Sequence, residues 1–306
     1  WLAGSARYEL RNEILNSSDA KHHGLWQLDY ACQLLLQPRP EMSLLPVVRL
    51  SMRPDTAFAI MGDIALQFQP QNNASTLESI TILTGKNIKY PTFNDLFWEP
   101  GGNPDLEVET AISTGIKSSW QFGSQFHAVI NAVHIRYRDL IKWSPDSDGP
   151  WRPHNLSGAS SFSITAQADL MLFEDRLRID VGWDEVITRN LERGSQYGKP
   201  LRYAPRHSVK LLAEINSTTG WRLSLQTLAT SAYITAYDYP DDNTQPPAVT
   251  CSARIYRQFQ LYKTAAAIIL SVRNLLDHRY EFFPGYPEQG RSINLTIDIR
   301  KTDHYE

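Results

Sequence analysis

Apolar and polar residues alternate along nearly the whole chain, with the period of two that is typical of half-buried β-strands. The last such segment places Ile293, Leu295 and Ile297 on one side and Asn294 and Thr296 on the other. About fourteen segments of this kind follow one another along the chain. The sequence therefore predicts an all-β chain of antiparallel strands.

The lengths of the connections between these strands narrow the fold class. From Thr84 onward long and short connections alternate, which puts all long loops at one end of an antiparallel sheet and all short turns at the other. Outer-membrane barrels have this arrangement, with short periplasmic turns and long extracellular loops. A soluble β-sandwich also alternates apolar with polar residues, but its connections show no such alternation in length. We therefore predict an antiparallel transmembrane β-barrel.

In a barrel of this kind the two faces of each strand meet different surroundings. The apolar side chains would meet hydrocarbon, and their polar neighbours would meet an aqueous or protein-filled interior. Aromatic residues near the predicted strand ends would suit the interfacial girdles of such a barrel: Trp26, Trp120, Tyr137, Trp143, Trp221 and Tyr233.

Composition excludes several other classes of protein. No apolar run approaches the roughly 18 residues that a membrane-spanning helix requires. The chain has 30 basic and 33 acidic residues, and this near balance argues against a nucleic-acid partner. Cys32 and Cys251 have no metal or redox spacing and lie on apolar faces, so we expect them to be inert. The chain begins at Trp1 with no initiator Met or signal peptide, which we interpret as a piece of a longer protein.

The most distinctive connection runs from Lys86 to Glu109 and reads KNIKYPTFNDLFWEPGGNPDLEVE. We expect Gly101 and Gly102 to permit positive φ, and Pro104 to hold the residue before it in an extended conformation. Loops of this length are usually functional. Its segments PTFNDL and GNPDL, closed by Glu109, resemble the loop signature of TonB-dependent outer-membrane receptors.

The C-terminal region resembles the same family. VRNLLD at 272–277, Tyr280, GYP at 285–287 and GR at 290–291 are similar to the ending that leads such receptors into their last strand. WRPHN at 151–155 and YAPRH at 203–207 are similar to loop and strand-entry segments. The resemblance implies that residues 1–306 are a partial receptor barrel, the C-terminal portion of about 22 strands, with the plug domain and first strands absent.

The resemblance also implies a function. Such receptors lie in the bacterial outer membrane, in contact with its lipid, and bind a scarce nutrient on their external loops. A ferric siderophore is slightly favoured over cobalamin as the ligand. Import would use energy from the TonB–ExbB–ExbD system, transmitted through the plug. We expect no catalytic residues, no metal site and no cofactor.

The candidate ligand-binding residues are aromatic or cationic side chains in the long loops, because large ligands need an extensive contact surface. They are Tyr90, Phe93, Phe97, Trp98, Trp151, Arg152, Tyr237, Tyr239, Phe283 and Tyr286. A second set is assigned to loop geometry and strand entry: Asn103, Pro104, Gly285, Gly290 and Arg291.

Three alternatives stay open from the sequence. The first is an outer-membrane enzyme, although no nucleophile elbow is present and the adjacent His22 and His23 have no metal-ligand spacing. The second is a passive porin, and the third is a soluble β-rich binding module. The acidic run formed by Asp238, Asp241 and Asp242 has oxygen ligands suited to calcium, but it lacks an EF-hand pattern, so a solvated loop is favoured.

Overall fold

A computed structural model describes residues 2–17, 21–54, 58–71, 76–145, 150–237, 242–261 and 264–301. Its main feature is a 14-stranded sheet whose strands follow one another in chain order, which confirms the predicted fold class and strand number. The strands are β1 (Leu2–Ser17), β2 (Lys21–Arg39), β3 (Met42–Met52), β4 (Ala59–Phe68), β5 (Leu77–Lys89), β6 (Glu109–Phe122), β7 (Phe126–Arg138), β10 (Ala159–Leu172), β11 (Leu177–Asn190), β12 (His207–Asn216), β13 (Trp221–Thr230), β16 (Ala248–Leu261), β17 (Thr264–Arg273) and β20 (Ser292–Lys301).

The long connections carry structure of their own. One short helix, α1 (Phe93–Phe97), lies in the first of them. Three two-stranded hairpins lie in later ones: β8 (Leu140–Pro145) with β9 (Trp151–Leu156), β14 (Tyr233–Ala236) with β15 (Asn243–Gln245), and β18 (Glu281–Phe283) with β19 (Tyr286–Pro287). No helix in the described part of the chain is long and apolar enough to cross a membrane.

These hairpins correct two predicted strands. The predicted strand from Phe126 to Ile141 ends at Arg138, because Asp139 adopts a left-handed backbone with φ of 55°. The predicted strand from Trp221 to Thr235 ends at Thr230, and the chain then enters β14 in a separate hairpin. Two aromatic residues assigned to the girdles therefore lie in loop hairpins instead, namely Trp143 in β8 and Tyr233 in β14.

The burial pattern is the reverse of that in a soluble sheet protein. In β4 the apolar Ile64 and Leu66 are exposed, whereas their polar neighbours Asp63 and Gln67 are partly buried. In β20 the side chains of the apolar row are mostly accessible: Ile293 67%, Leu295 64%, Ile297 60% and Ile299 68%. These four residues are therefore not buried against a second layer, in agreement with the predicted hydrocarbon-facing surface.

The chain divides into two compact units. Unit 1 comprises Trp1–Ser118, Asn131–Ser163 and Ile187–Pro200, and unit 2 comprises Ser119–Ile130, Ile164–Val186 and Leu201–Glu306. A small core of Leu96, Leu106 and Ile141 is formed by residues of the long connections of unit 1. One face of the sheet in unit 2 carries polar side chains. On that face the Nε of Arg178 donates a hydrogen bond to Oδ1 of Asp180 at 3.0 Å.

Candidate functional site

The first long connection of unit 1 is organised by the cap of helix α1. The Thr92 hydroxyl accepts a hydrogen bond from the Asp95 amide at 3.2 Å, and the Asp95 carboxylate accepts one from the Thr92 amide at 2.9 Å. This reciprocal pair is a capping box, which satisfies two amides at the start of a helix. It fixes a five-residue helix in a loop that would otherwise leave these groups without partners.

The same carboxylate connects this loop to the β8–β9 hairpin. The indole Nε1 of Trp143 donates to Oδ1 of Asp95 at 2.7 Å, and Asp95 is 6% exposed. The Trp143 ring also packs edge-on against Trp98, with ring centroids 5.6 Å apart and an interplanar angle of 67°. A buried carboxylate with both oxygens hydrogen-bonded therefore holds the two loops together.

Gly101 and Gly102 allow the same loops to approach closely. A Cβ on Gly101 would lie 2.2 Å from the carbonyl oxygen of Trp151, and one on Gly102 would lie 2.7 Å from the carbonyl oxygen of Leu96. Neither glycine is among the residues with positive φ, so the expectation that they supply a left-handed turn was wrong. Their role is to admit neighbouring backbone where a side chain would collide.

Two asparagines complete the connection between the loops of unit 1. Asn103 donates from Nδ2 to the Pro153 carbonyl at 3.1 Å and accepts from the Asp105 amide at 3.0 Å, a geometric role that agrees with the sequence-based assignment. Asn155 accepts from the Glu107 amide at 2.8 Å and donates back to the carbonyl of the same residue at 3.1 Å. The GNPDL and WRPHN segments therefore act mainly as structural connections between the two loops.

Two of the candidate binding residues in unit 1 take part in internal packing. The Tyr90 ring lies under the guanidinium of Arg53, which is 4.8 Å from the ring centroid. The Phe97 ring stacks on His23 at a centroid distance of 3.7 Å, with an interplanar angle of 2°. These contacts favour a supporting role for both aromatic residues. Phe93 is also partly buried and faces Phe97 at 6.1 Å.

The remaining candidates in unit 1 are accessible. Trp98 and Trp151 are 36% and 37% exposed, and they line one cleft of about 400 Å³ together with Thr92, Asn94, Asp95 and Trp143. Arg152 is exposed next to Trp151 in β9. The structure thus brings two indole rings and one nearby guanidinium to the surface of the loops, supported from below by the hydrogen-bonded carboxylate.

Unit 2 builds a second aromatic cluster from three of its long connections. Tyr203 is the centre of the cluster, with ring centroids 6.5 Å from Tyr233 and 5.3 Å from Phe283. The Tyr233 hydroxyl donates to the Phe282 carbonyl at 2.7 Å, and the Tyr203 amide donates to the Ile234 carbonyl at 2.8 Å. Phe283, a predicted candidate, therefore has an exposed ring that rests on the partly buried Tyr203.

The tyrosine hydroxyls in and near this cluster have raised pKa values. Burial raises the pKa of Tyr203 above its ordinary value, an effect partly opposed by the neighbouring Arg202. Burial likewise raises the pKa of Tyr237, again against the opposing charge of Arg202, whose guanidinium lies 5.4 Å from the Tyr237 ring centroid. At neutral pH these side chains are hydrogen-bond donors with apolar faces rather than phenolates.

A larger cleft of about 790 Å³ lies beside the C-terminal hairpin. Its walls include Arg279, Tyr280, Glu281 and Glu288, so both charge signs face the space. Burial, with a contribution from the charge of Glu288, raises the pKa of Tyr280. Tyr286, another candidate, is 75% exposed at the hairpin β18–β19, whose Gly285 has φ of 82°.

Some predictions fall outside what the structure describes, and some site residues were missed. Tyr239 lies outside the described residues, as do Asp238 and Asp241 of the acidic run. Among the described residues, no group of three or more His, Cys, Asp or Glu side chains could hold a metal ion.

The sequence interpretation did not select Asp95 or Tyr203 as site residues, although the Thr-x-x-Asp spacing of a capping box could have indicated Asp95.

Comparisons with known proteins agree with this architecture. The family described as TonB dependent receptor-like, beta-barrel matches residues 63–275. A vitamin B12 transporter, BtuB, of Vibrio vulnificus is 36% identical over 108 residues, which are 33% of this chain and 17% of that protein. BtuB of Photobacterium profundum is 26% identical over 247 residues, covering 74% of this chain and 36% of that protein.

A solved structure extends the likeness to nearly the full chain. A variant of the ferric enterobactin receptor PfeA of Pseudomonas aeruginosa, in complex with enterobactin, superposes with a TM-score of 0.72 at 14% identity. The alignment covers 97% of this chain and 51% of that chain. At this identity the likeness concerns the fold. The chain spans about half or less of the length of each of these three relatives.

Proposed function

Because the chain belongs to the family of TonB-dependent receptor β-barrels, we propose that it contributes part of the barrel wall and the external binding loops of a nutrient importer. Proteins of this family are outer-membrane barrels of Gram-negative bacteria, and the chain is located in that membrane. The named relatives are transporters and receptors rather than enzymes. The porin and soluble-module alternatives have no support from this family.

The observation that carries the proposal is the composition of the long loops. In each unit they present exposed aromatic rings, namely Trp98 and Trp151 in unit 1 and Phe283 and Tyr286 in unit 2. Large, rigid aromatic surfaces supply contact area at low cost in conformational entropy. Clefts of about 400 and 790 Å³ accompany them, within the range of sites that hold sizeable organic ligands.

The proposed ligand is cobalamin, with a ferric siderophore as the second candidate. The sequence alone slightly favoured the siderophore, and the similarity to two vitamin B12 transporters supports the opposite order. The neutral phenols of unit 2 are also consistent with a ligand that accepts hydrogen bonds through amide groups. The exposed Arg152 and the cleft residue Arg279 would suit the anionic groups of a ferric siderophore, which is why this class remains the second candidate.

The proposed partners follow from the family. Energy for import would come from TonB, with ExbB and ExbD, acting through a plug domain inside the complete barrel, of which residues 1–306 would form part of the wall. The loops of this chain would hold the ligand on the external side, and release into the periplasm would require the plug to move.

Binding and uptake in cells test this proposal. The complete gene product is expressed in a strain that lacks its own cobalamin and siderophore receptors, and radiolabelled cyanocobalamin and ferric enterobactin are offered separately. We expect saturable cyanocobalamin binding to outer-membrane preparations, and uptake that is lost in cells without TonB. Binding of neither compound would overturn the ligand assignment. Uptake that persists without TonB and does not saturate would overturn the receptor function as a whole.

A further inference from the structure

The outward face of the last strands in unit 2 forms continuous rows across the sheet. Trp221 of β13 pairs with Arg257 of β16, which pairs with Ile268 of β17, which in turn pairs with Ile297 of β20. Residues directly opposite one another on neighbouring strands share one face of a sheet. Trp221, Ile268 and Ile297 are all exposed, so this row lies on the hydrocarbon-facing side and Arg257 lies there too.

The rows on either side of Arg257 are apolar. The row toward the long loops consists of Leu223, Ile255, Leu270 and Leu295, and these four side chains are exposed. The row toward the chain end of β16 consists of Phe259, Ala266 and Ile299. One guanidinium thus projects from three described rows whose other side chains are apolar.

Arg257 also differs from the arginines on the opposite face of the same unit. Arg178 is hydrogen-bonded to Asp180 at 3.0 Å, and Arg222 lies 3.6 Å from the carboxylate of Glu214. Among the described residues, the contact of Arg257 is with the Trp221 ring, whose centroid is 4.7 Å from the guanidinium carbon, and no carboxylate pairs with it. Its five N–H donors therefore have an anion-binding capacity that the sheet itself does not use.

The position of the row along the strands indicates the depth in the membrane. Trp221 is the first residue of β13 and follows the short turn at 217–220, so the row starts at the end of the sheet that carries the short turns. In outer-membrane barrels that end is periplasmic, and tryptophans there lie at the level of the lipid headgroups. An arginine stem extends along apolar surface and carries its charge toward the same level.

We propose that Arg257 and Trp221 form a binding site for the phosphate group of an anionic phospholipid in the periplasmic leaflet. The planar guanidinium donates two parallel hydrogen bonds to phosphate oxygens, and the indole ring holds the guanidinium in place from its other side. The acyl chains lie along the exposed rows of Leu223, Ile255 and Ile268. The site favours a lipid over a free anion because apolar side chains surround the guanidinium. Acyl chains would cover these side chains, whereas a free anion would not.

The test compares lipid binding by two charge-removing variants of the complete receptor in detergent. Arg257→Gln removes the proposed phosphate ligand, and Arg254→Gln removes an arginine three residues away that pairs with Ser224 and Ser271 on the opposite face. Binding of phosphatidylglycerol is measured by native mass spectrometry, with phosphatidylcholine and inorganic phosphate as the other two probes. We expect affinity for phosphatidylglycerol to fall about fivefold in Arg257→Gln and to stay unchanged in Arg254→Gln.

Other outcomes contradict the site. Equal affinity of Arg257→Gln and the parent protein would overturn the proposal, as would an equal loss in Arg254→Gln. Saturable binding of inorganic phosphate that Arg257→Gln abolishes would replace the lipid by a soluble anion. If Arg257→Gln does not assemble, Arg257→Lys provides the comparison, because it keeps the charge and loses the paired hydrogen bonds. Its affinity for phosphatidylglycerol should fall about twofold to threefold, and an unchanged affinity would overturn the bidentate contact.

Discussion

The Trp143 indole donates a 2.7 Å hydrogen bond to the carboxylate of Asp95, a residue 48 positions earlier in the chain. The second oxygen of that carboxylate accepts from both the amide and the hydroxyl of Thr92. One buried side chain therefore caps a helix in one loop and anchors the hairpin of the next. Both exposed indoles of unit 1 depend on this connection for their positions.

Replacing this carboxylate should loosen both loops. Asp95→Ala leaves the Trp143 N–H and the Thr92 amide without their acceptor, which costs about 2 kcal/mol of local stability. Cleavage within residues 90–108 by a protease added to intact cells should then accelerate by roughly tenfold or more, because cleavage follows the population of the open loop. Asp105→Ala, the same change at an exposed position of the same loop, should leave the rate unchanged. Equal rates in the two variants would contradict the anchoring role.

The close approach at Gly101 should tolerate no side chain. Gly101→Ala places a methyl group 2.2 Å from the Trp151 carbonyl oxygen, so the backbone of one loop has to move, at a cost of about 1–3 kcal/mol. We expect ligand affinity to fall about tenfold, measured by equilibrium binding to outer-membrane preparations. Gly24→Ala, where a methyl group meets nothing within 4 Å, is the matched control. An affinity that survives Gly101→Ala intact would show that the separation of the loops is adjustable.

Exposed and packed aromatic residues of unit 1 should differ in their effect on binding. Trp98→Ala and Trp151→Ala should each reduce ligand affinity by about thirtyfold, corresponding to about 2 kcal/mol for a contact residue at a binding site. Phe173→Ala removes a still more accessible ring at a short turn and should have no effect. The measurement is the dissociation constant of labelled cyanocobalamin. Retention of full affinity in both tryptophan variants would place the ligand elsewhere on the loops.

The two faces of β20 should respond oppositely to charge. Leu295→Arg puts a guanidinium on the exposed apolar row of β20, one position in the row pattern farther from the short-turn end than Ile297, where a cation costs up to about 2–4 kcal/mol as the bilayer midplane is approached. Thr296→Arg places the same group on the other face of the same strand and should be tolerated. The fraction of receptor that resists unfolding in detergent without heating, read as a mobility shift on a gel, distinguishes the two. Similar loss in both variants would argue against a lipid-facing row.

The tyrosine hydroxyls of the unit 2 cluster should lose their protons at a higher pH than ordinary tyrosines do. Burial raises the pKa of Tyr203 and Tyr233 above 10.0, so the unfolded chain loses these phenolic protons first as pH rises. The stabilisation is therefore complete below pH 10.0 and declines as pH rises through the raised pKa values. Absorbance at the tyrosinate band should show a late-titrating fraction that Tyr203→Phe reduces. Tyr286→Phe is the control, because it also removes one phenol. If the late-titrating fraction fell in Tyr286→Phe and not in Tyr203→Phe, its assignment to the buried cluster would be wrong.

Much of the architecture was legible in the sequence because its signals are local. Alternation at a period of two marks most strands and assigns their two faces, which is why Ile293 and its neighbours in β20 were placed correctly on the outward side. The strand at 77–89 is an exception, because its alternation was too blurred to assign a face. The motif at 91–109 was also recognisable from neighbouring residues. The ends of the strands were less predictable. Asp139 adopts positive φ without being glycine, and nothing in its immediate neighbours signals that the strand stops there.

By itself the sequence determined the number of strands in the main sheet, the outward side of the strands with clear alternation and the end of the sheet that carries the long loops, since these depend on residue order and spacing. Only the tertiary structure decided which loop residues are available to a ligand. Phe97 and Trp98 are adjacent and equally suited to binding by composition. Phe97 is partly buried and stacks on His23, whereas Trp98 is 36% exposed and packs against Trp143, because their partners come from β2 and from a hairpin more than forty residues later.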